Sequence, residues 1–276
     1  MQQAVKRYVQ VGDIKICYYE YGQEGEPVLL LHGWPTSAFL YRKIAPQIAH
    51  NKRVIAIDLP GFGGSDKRTD ITYSFQFFSK IINGFLLELG IDKISLVVHD
   101  LGGPVGLYWA CNHMQSVSKL VILNTLVYPE MSWAVKLFLL IVKAPFVNSL
   151  FVSPFALRLA MMLGIVDSNK YTEEMFQGVL APFVTDSDRQ ALLQAGGDLQ
   201  VRGLFVIAQK ISNFHIPVRI IYGEEDRILP DIAETVQRLK SDLPQAEVTV
   251  LKRCGHFLQE DQPEVLGKLL KEFLTD

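Results

Sequence analysis

Cysteine is scarce in this chain. Cys17, Cys111 and Cys254 are three, an odd number, and lie far apart. That argues against a disulfide scaffold, and the spacing is not that of a metal site. An excess of one charge is also missing: 27 basic residues stand against 29 acidic ones, a formal net charge of -2. A nucleic-acid binder held by bulk charge is disfavoured on that ground. Charged residues make up only 20% of the chain against 49% hydrophobic, which excludes disorder, because so apolar a chain buries enough surface to offset its ordering entropy. Long unbroken apolar runs are absent too. The most apolar region, 131–166, is interrupted by Lys136, Lys143, Pro145, Pro154 and Arg158. A spanning helix needs about 20 predominantly apolar residues, so a membrane span is disfavoured, while contact with a lipid surface stays open. The first residues, Met-Gln-Gln-Ala-Val-Lys-Arg-Tyr, have no basic stretch leading into an apolar core. No signal peptide is expected, and with unpaired cysteines this points to a cytoplasmic protein. There is no internal repeat and no low-complexity segment.

What is present is alternation. Two segments, 5–11 and 14–21, alternate apolar and polar residues around Gly12-Asp13, a hairpin signal. Short, wholly apolar runs follow at 28–31, 54–57, 94–98, 120–123, 218–222 and 248–251. Such runs suit strands buried on both faces of a parallel sheet. Amphipathic stretches of helix length lie between or after them, at 72–89, 102–114, 232–239 and 265–273. The pattern predicts an α/β fold with a mostly parallel sheet flanked by helices. Between 128 and 213 the alternation stops. That stretch is rich in Leu, Phe, Met and Ala and punctuated by Pro145, Pro154, Pro182 and Gly196-Gly197. It is read as a helical cap inserted between two strands, with residues 1–127 and 214–276 forming the core domain. The cap is expected to cover the site as an apolar lid, and its 131–166 segment to offer dimer or membrane-surface contacts.

Sites in α/β sheets form at the carboxyl ends of strands. After 29–31 comes His32-Gly33-Trp34-Pro35; after 55–57, Asp58-Leu59-Pro60-Gly61-Phe62-Gly63-Gly64-Ser65; after 95–98, His99-Asp100-Leu101-Gly102-Gly103. Gly223-Glu224-Glu225-Asp226 and Gly255-His256 follow the two last runs. The third of these loops is the most informative. A buried strand ends, one reactive residue follows, and glycines open a helix, as the sharp turn of a nucleophile elbow requires. The central residue is Asp100, and a carboxylate there can displace a leaving group at an sp³ carbon and form an alkyl ester. The competing reading of Asp100 is an ordinary helix N-cap.

These motifs, in this order and spacing, resemble the α/β-hydrolase superfamily, and within it the aspartate-nucleophile branch of epoxide hydrolases and haloalkane dehalogenases. The resemblance runs from the hairpin to His256. It implies Asp100 as nucleophile, His256 as the base that activates water against the ester, and Asp226 as the acid that orients the base. Glu225 is a neighbour, but the Gly-x-x-Asp spacing favours Asp226. The acid's other place in such proteins falls on Asn124, which cannot act as a carboxylate. The oxyanion hole is expected from the backbone N–H groups of Trp34 and Leu101. His32 and His99 are expected to be structural, and Pro35 is a candidate cis proline. No cofactor and no metal are implied; the partners are a small apolar substrate and water.

The chain also departs from these relatives. Dehalogenases usually hold halide with a Trp directly after the nucleophile, where this chain has Leu101, and with Asn or Glu where it has Trp34. Trp133 is the candidate for a second donor. Val98 and Pro35-Thr36-Ser37 nevertheless lean towards dehalogenases. Epoxide hydrolases usually carry two lid tyrosines that protonate the opening ring, and Tyr128 and Tyr171 are the candidates. Three readings stand: epoxide hydrolysis first, carbon–halogen hydrolysis second, and a non-catalytic scaffold that binds a hydrophobic ligand or partner third.

Overall fold

A computed structural model describes residues 3–145 and 147–275. Eight strands form one sheet: β1 (Val5–Val11), β2 (Ile14–Tyr21), β3 (Pro27–Leu31), β4 (Arg53–Ile57), β5 (Ile94–His99), β6 (Val117–Leu123), β7 (Val218–Gly223) and β8 (Glu247–Leu251). Their spatial order is β1-β2-β4-β3-β5-β6-β7-β8. The β1–β2 hairpin turns at Gly12, whose φ is +61°. It runs antiparallel, as does the β2–β4 pairing, and every later pairing is parallel.

The wholly apolar runs become interior strands because both faces are covered. Leu29 and Leu31 of β3, Ile55 and Ile57 of β4, and Leu96 and Val98 of β5 point into one core. Their neighbours Val28, Leu30, Val54, Ala56 and Val97 point into the other. Side chains alternate faces along a strand, so a run without polar members is what two cores require. The first core is closed by α2 (Phe75–Glu88), α3 (Gly102–Asn112) and α10 (Ile232–Asp242), the second by α1 (Ala45–Ile48) and α12 (Pro263–Thr275). The short α11 (Leu258–Asp261) follows β8.

Local chemistry trims the helices read from periodicity. The 72–89 stretch starts three residues late because the Ser74 side chain accepts from the Phe77 N–H and caps α2, an interaction worth typically ~1 kcal/mol. The 102–114 stretch stops at Asn112, where His113 leaves helical geometry at φ −138°, ψ 44°.

Between β6 and β7 the described residues form helices only: α4 (Trp133–Lys143), α5 (Val147–Phe151), α6 (Pro154–Gly164), α7 (Glu173–Leu180), α8 (Asp186–Gly197) and α9 (Val201–Lys210), with two 3-10 turns. A third apolar cluster joins this insertion to the core. Met161, Ile165, Met175, Phe176 and Val179 pack there with Leu40 and with Phe257, the neighbour of His256. Among the described residues no helix is long and apolar enough to cross a membrane.

Candidate active site

The site is built at the carboxyl ends of β3, β5, β6 and β7, with one further residue from the loop after β8. β5 ends at His99, and Asp100 takes a φ of +48°, a left-handed conformation uncommon outside glycine. The turn is clamped from β6. Asp100 donates its backbone N–H to the Asn124 carbonyl at 3.0 Å, and the Thr125 hydroxyl donates to the Asp100 carbonyl at 2.6 Å. Two glycines permit the approach. A Cβ on Gly103 would stand 1.6 Å from Thr125 Oγ1, and one on Gly33 would stand 2.2 Å from the Asp100 side chain.

The Asp100 carboxylate does not cap α3. Its Oδ1 accepts from the Trp34 backbone N–H at 2.6 Å, and its Oδ2 faces His256 Nε2 at 3.2 Å. The other ring nitrogen, Nδ1, donates to Asp226 Oδ2 at 2.8 Å. Asp226 is fixed in turn. Its Oδ1 accepts from the backbone N–H groups of Ile228 and Leu229, each at 2.8 Å, and its Oδ2 also accepts from Asn124 Nδ2 at 2.6 Å. The side-chain Oδ1 of Asn124 accepts from the Gly223 N–H at 2.9 Å. The side chains of His256 and Asp226 are fully buried, whereas that of Asp100 keeps 17% exposure. The carboxylate is therefore the one member that a small molecule can reach.

The charges are coupled. Burial pushes the His256 pKa down, but the Asp226 charge and the hydrogen bonds to Asp100 and Asp226 outweigh it, and the net direction is up. Burial pushes Asp100 up, yet the hydrogen bond and charge of His256 hold it below the usual carboxylate value. For Asp226 burial again opposes, and the His256 charge again wins, so it too is lowered. The two carboxylates thus favour the protonated form of the ring that lies between them. Neighbouring His99 is driven down to about 4 by burial and by the His256 charge, so it stays neutral and bonds through Nε2 to the His256 carbonyl at 2.9 Å. His32 is lowered by burial and braces two loops, with Nδ1 on the Gly33 carbonyl at 3.0 Å and Nε2 accepting the Leu59 N–H at 3.1 Å. The Trp34–Pro35 peptide is cis.

The structure brings together Asp100, Asp226, His256 and the Trp34 N–H, and the Leu101 N–H also acts on the Asp100 carboxylate. It does not bring the three cap candidates to them. The Tyr128 hydroxyl donates to Asp242 at 2.6 Å, with Arg238 over its ring. Tyr171 donates to the carbonyls of Met162 and Ile165. A phenol withdrawn from water needs a hydrogen-bond partner, and neither hydroxyl finds its acceptor at the triad. Trp133 begins α4 and is 70% exposed. Sequence reasoning missed the bridging by Asn124 and the clamp by Thr125. Both residues stand at a strand's carboxyl end, which was the available signal.

A nucleophile within reach of a base, and a base oriented by an acid, is the geometry of covalent catalysis. A family model described as alpha/beta hydrolase fold matches residues 26–263. The chain belongs to the α/β-hydrolase fold family. This α/β-hydrolase is 28% identical over 279 residues to the uncharacterized hydrolase YugF of Bacillus subtilis, covering 98% of the chain and 97% of that protein. It is also 28% identical to a cis-3-alkyl-4-alkyloxetan-2-one decarboxylase of Shewanella oneidensis, covering 95% and 86%. Among solved structures it is similar to haloalkane dehalogenase DbeA from Bradyrhizobium elkani USDA94, with a TM-score of 0.88, 25% identity, and 99% and 98% of the two chains covered.

Proposed function

We propose that this α/β-hydrolase opens the strained oxygen ring of an apolar substrate, an epoxide in the first instance, through a covalent ester on Asp100. One observation carries the reading: the two oxygens of Asp100 have different partners. Oδ1 lies on the Trp34 N–H, and Oδ2 faces His256. A serine-type hydrolase reserves such a donor for the substrate's oxygen. Here the donor holds the carboxylate's own oxygen, the atom on which charge builds when water attacks an ester of Asp100.

In the first half-reaction Oδ2 attacks a ring carbon and the carbon–oxygen bond breaks. The bonding pair stays on the ring oxygen, which takes the proton of the His256 imidazolium. Alkylation removes the Asp100 charge, one of the causes that keep His256 protonated. The now neutral imidazole takes a proton from water, hydroxide adds to Cγ, and the oxyanion on Oδ1 rests on the Trp34 and Leu101 N–H groups. Losing one such donor typically costs ~10²–10³ in rate. Collapse breaks the Cγ–Oδ2 bond, and the departing alkoxide takes the proton of the newly added hydroxyl by way of the imidazole and leaves as the diol. The Asp100 carboxylate and the His256 imidazolium are restored, so epoxide and water are consumed in equal number. The 128–213 segment serves as the cap. Phe138 and Phe151 pack on the Trp34 ring at centroid distances of 5.0 and 5.4 Å, which makes the roof apolar. The substrate named for the Shewanella oneidensis relative is itself an alkyl-bearing, four-membered oxygen ring, in line with this chemistry. Three buried, free cysteines suit a reducing, cytoplasmic setting.

The likeness to DbeA favours carbon–halogen hydrolysis as a second reading. Neither of the two positions that would cradle the departing anion offers a free donor, since Leu101 has no side-chain donor and the Trp34 indole donates to the Leu192 carbonyl at 3.2 Å. Turnover of terminal epoxides, oxetan-2-ones and 1-haloalkanes of matched length decides the matter. Diol from the epoxide at higher kcat/KM than halide release supports the first reading. Halide release without ring opening installs the second. No turnover of any class leaves the ligand-binding scaffold.

A further inference from the structure

The helices that roof the site carry apolar side chains on both sides. On α4, Trp133, Leu137 and Leu140 are 70%, 45% and 68% exposed, at spacings i, i+4 and i+7. On α6, Phe155, Leu159 and Met162 are 76%, 55% and 39% exposed at the same spacings. Each set is one face of a helix, and each points to solvent. α5 packs on both helices and links them. Single exposed apolar residues need no explanation, but a face of this extent marks an interaction site.

Charge identifies the occupant. Residues 131–166 contain Lys136, Lys143 and Arg158 and not one Asp or Glu. Arg158 is paired with Glu173. Lys136 and Lys143 are exposed, and among the described residues their ammonium groups have no hydrogen bond or ion pair. An isologous dimer through this face would bring together the unpaired lysines of both copies with no carboxylate from residues 131–166 of either. Aromatic and leucine side chains flanked by lysines are the composition that seats a helix in the boundary of an anionic bilayer. Acidic residues stand at two edges: Glu130, Asp231 and Glu234 line a groove with Trp133 and Lys136, and Glu173 lies beside Arg158, whose charge it offsets. The groove edge repels anionic headgroups, so binding rests on the apolar residues and the two unpaired lysines.

We propose that the outer face of α4 and α6 docks on an anionic lipid surface. Phe138 and Phe151, on the inner side of α4 and α5, touch Trp34, whose N–H holds Asp100. The docked face therefore lies one helix layer, about 10 Å, from the Trp34 ring, whose own backbone reaches Asp100. If the proposed ring-opening chemistry holds, an apolar substrate dissolved in the bilayer reaches Asp100 through that layer; the docking itself does not depend on the chemistry.

The test is sedimentation of the full chain with phosphatidylcholine vesicles and with vesicles containing phosphatidylglycerol. The protein should pellet with the anionic vesicles, less so in high salt. Lys136→Glu with Lys143→Glu should weaken that binding by at least about 25-fold, since each basic residue at such a surface contributes about five-fold. Leu140→Glu with Phe155→Glu should abolish it with an unchanged melting temperature, because exposed substitutions rarely disturb a fold. Brominated lipid supplies a check without variants. Trp34 and Trp109 are buried and Trp133 is exposed, so bilayer contact quenches the Trp133 emission. No pelleting and no quenching, equal binding to neutral and anionic vesicles, or a solution dimer that Leu140→Glu with Phe155→Glu splits would each overturn the proposal. Because none of these measurements uses turnover, an error in the catalytic reading leaves them unaffected.

Discussion

Asn124 Nδ2 lies 2.6 Å from Asp226 Oδ2, the oxygen that also receives the proton-bearing nitrogen of His256. Asn124 thus stands against the acid and, through its other side-chain atom, ties down the Gly223 N–H that begins the acid's own loop.

Asn124→Leu should consequently act through Asp226. It removes a donor that helps hold the Asp226 pKa down and leaves a buried N–H unpaired, a cost of about 1–3 kcal/mol. We expect a lower melting temperature and a kcat reduced by about 10-fold or more, with KM changed little, since the substrate does not meet this residue. A loss confined to KM would contradict the assignment.

His256→Gln should separate the half-reactions. General-base help is worth typically ~10²–10⁴-fold, and water cannot be activated without it. An adduct should accumulate on Asp100, seen by intact-mass spectrometry and mapped between Val98 and Gly103. Ring opening adds the whole epoxide mass, whereas halide displacement adds the alkyl group alone. The variant also lacks the imidazolium that protonates the opening ring, so the decisive assay is at mildly acid pH, where solvent supplies that proton. An epoxide that the natural enzyme consumes there but that leaves the variant unmodified would remove the ester from the mechanism.

Stability should fall on the alkaline side. The His256 pKa is raised in the fold to about 10, above its ordinary value near ~6.5. A raised group stabilises fully below its unfolded value, and that contribution fades as pH rises through the folded one. The melting temperature should therefore decline between about pH 6.5 and pH 10. Asp100 and Asp226 are lowered, so their contributions are present above the unfolded carboxylate value and vanish as pH falls through the folded values. Asp100→Asn should abolish turnover, keep the fold, and move the His256 titration down. Imidazole proton resonances followed against pH report that shift; an unmoved titration would mean that Asp100 carries no charge beside the ring.

Halide should bind weakly. An anion placed in an apolar pocket without donors is costly, and the Trp34 indole is engaged with Leu192. Bromide titration followed by tryptophan emission should show no saturation specific to halide. Tight, selective binding would place the dehalogenase reading first.

Much of this molecule is legible in the chain because two-sided burial leaves a plain mark. β5 has no exposed residue, and its sequence has no polar residue between Ser95 and His99. The reactive residues are visible for a similar reason: each follows such a run directly. Side chains that reach across the fold leave no such mark. Tyr128 is sequentially close to the insertion, yet its hydroxyl meets Asp242, 114 residues on. Tyr171 turns back onto its own segment. Spacing tells which helix face a residue occupies, not which acceptor its hydroxyl finds. Asn124 could be excluded as an acid from its chemistry alone, but its role as a bridge depends on where Gly223 and Asp226 come to lie.

Trp34 joins two things that a solvent-exposed enzyme would keep apart. Its backbone holds Asp100, and its ring stacks on Phe151 and hydrogen-bonds to α8. On the proposed reading, a substrate that displaces Phe151 or α8 would act on the residue that holds Asp100. A molecule too large for these helices to settle over would then meet a carboxylate with a partner displaced, and size selection would fall on the rate of the chemical step as well as on admission.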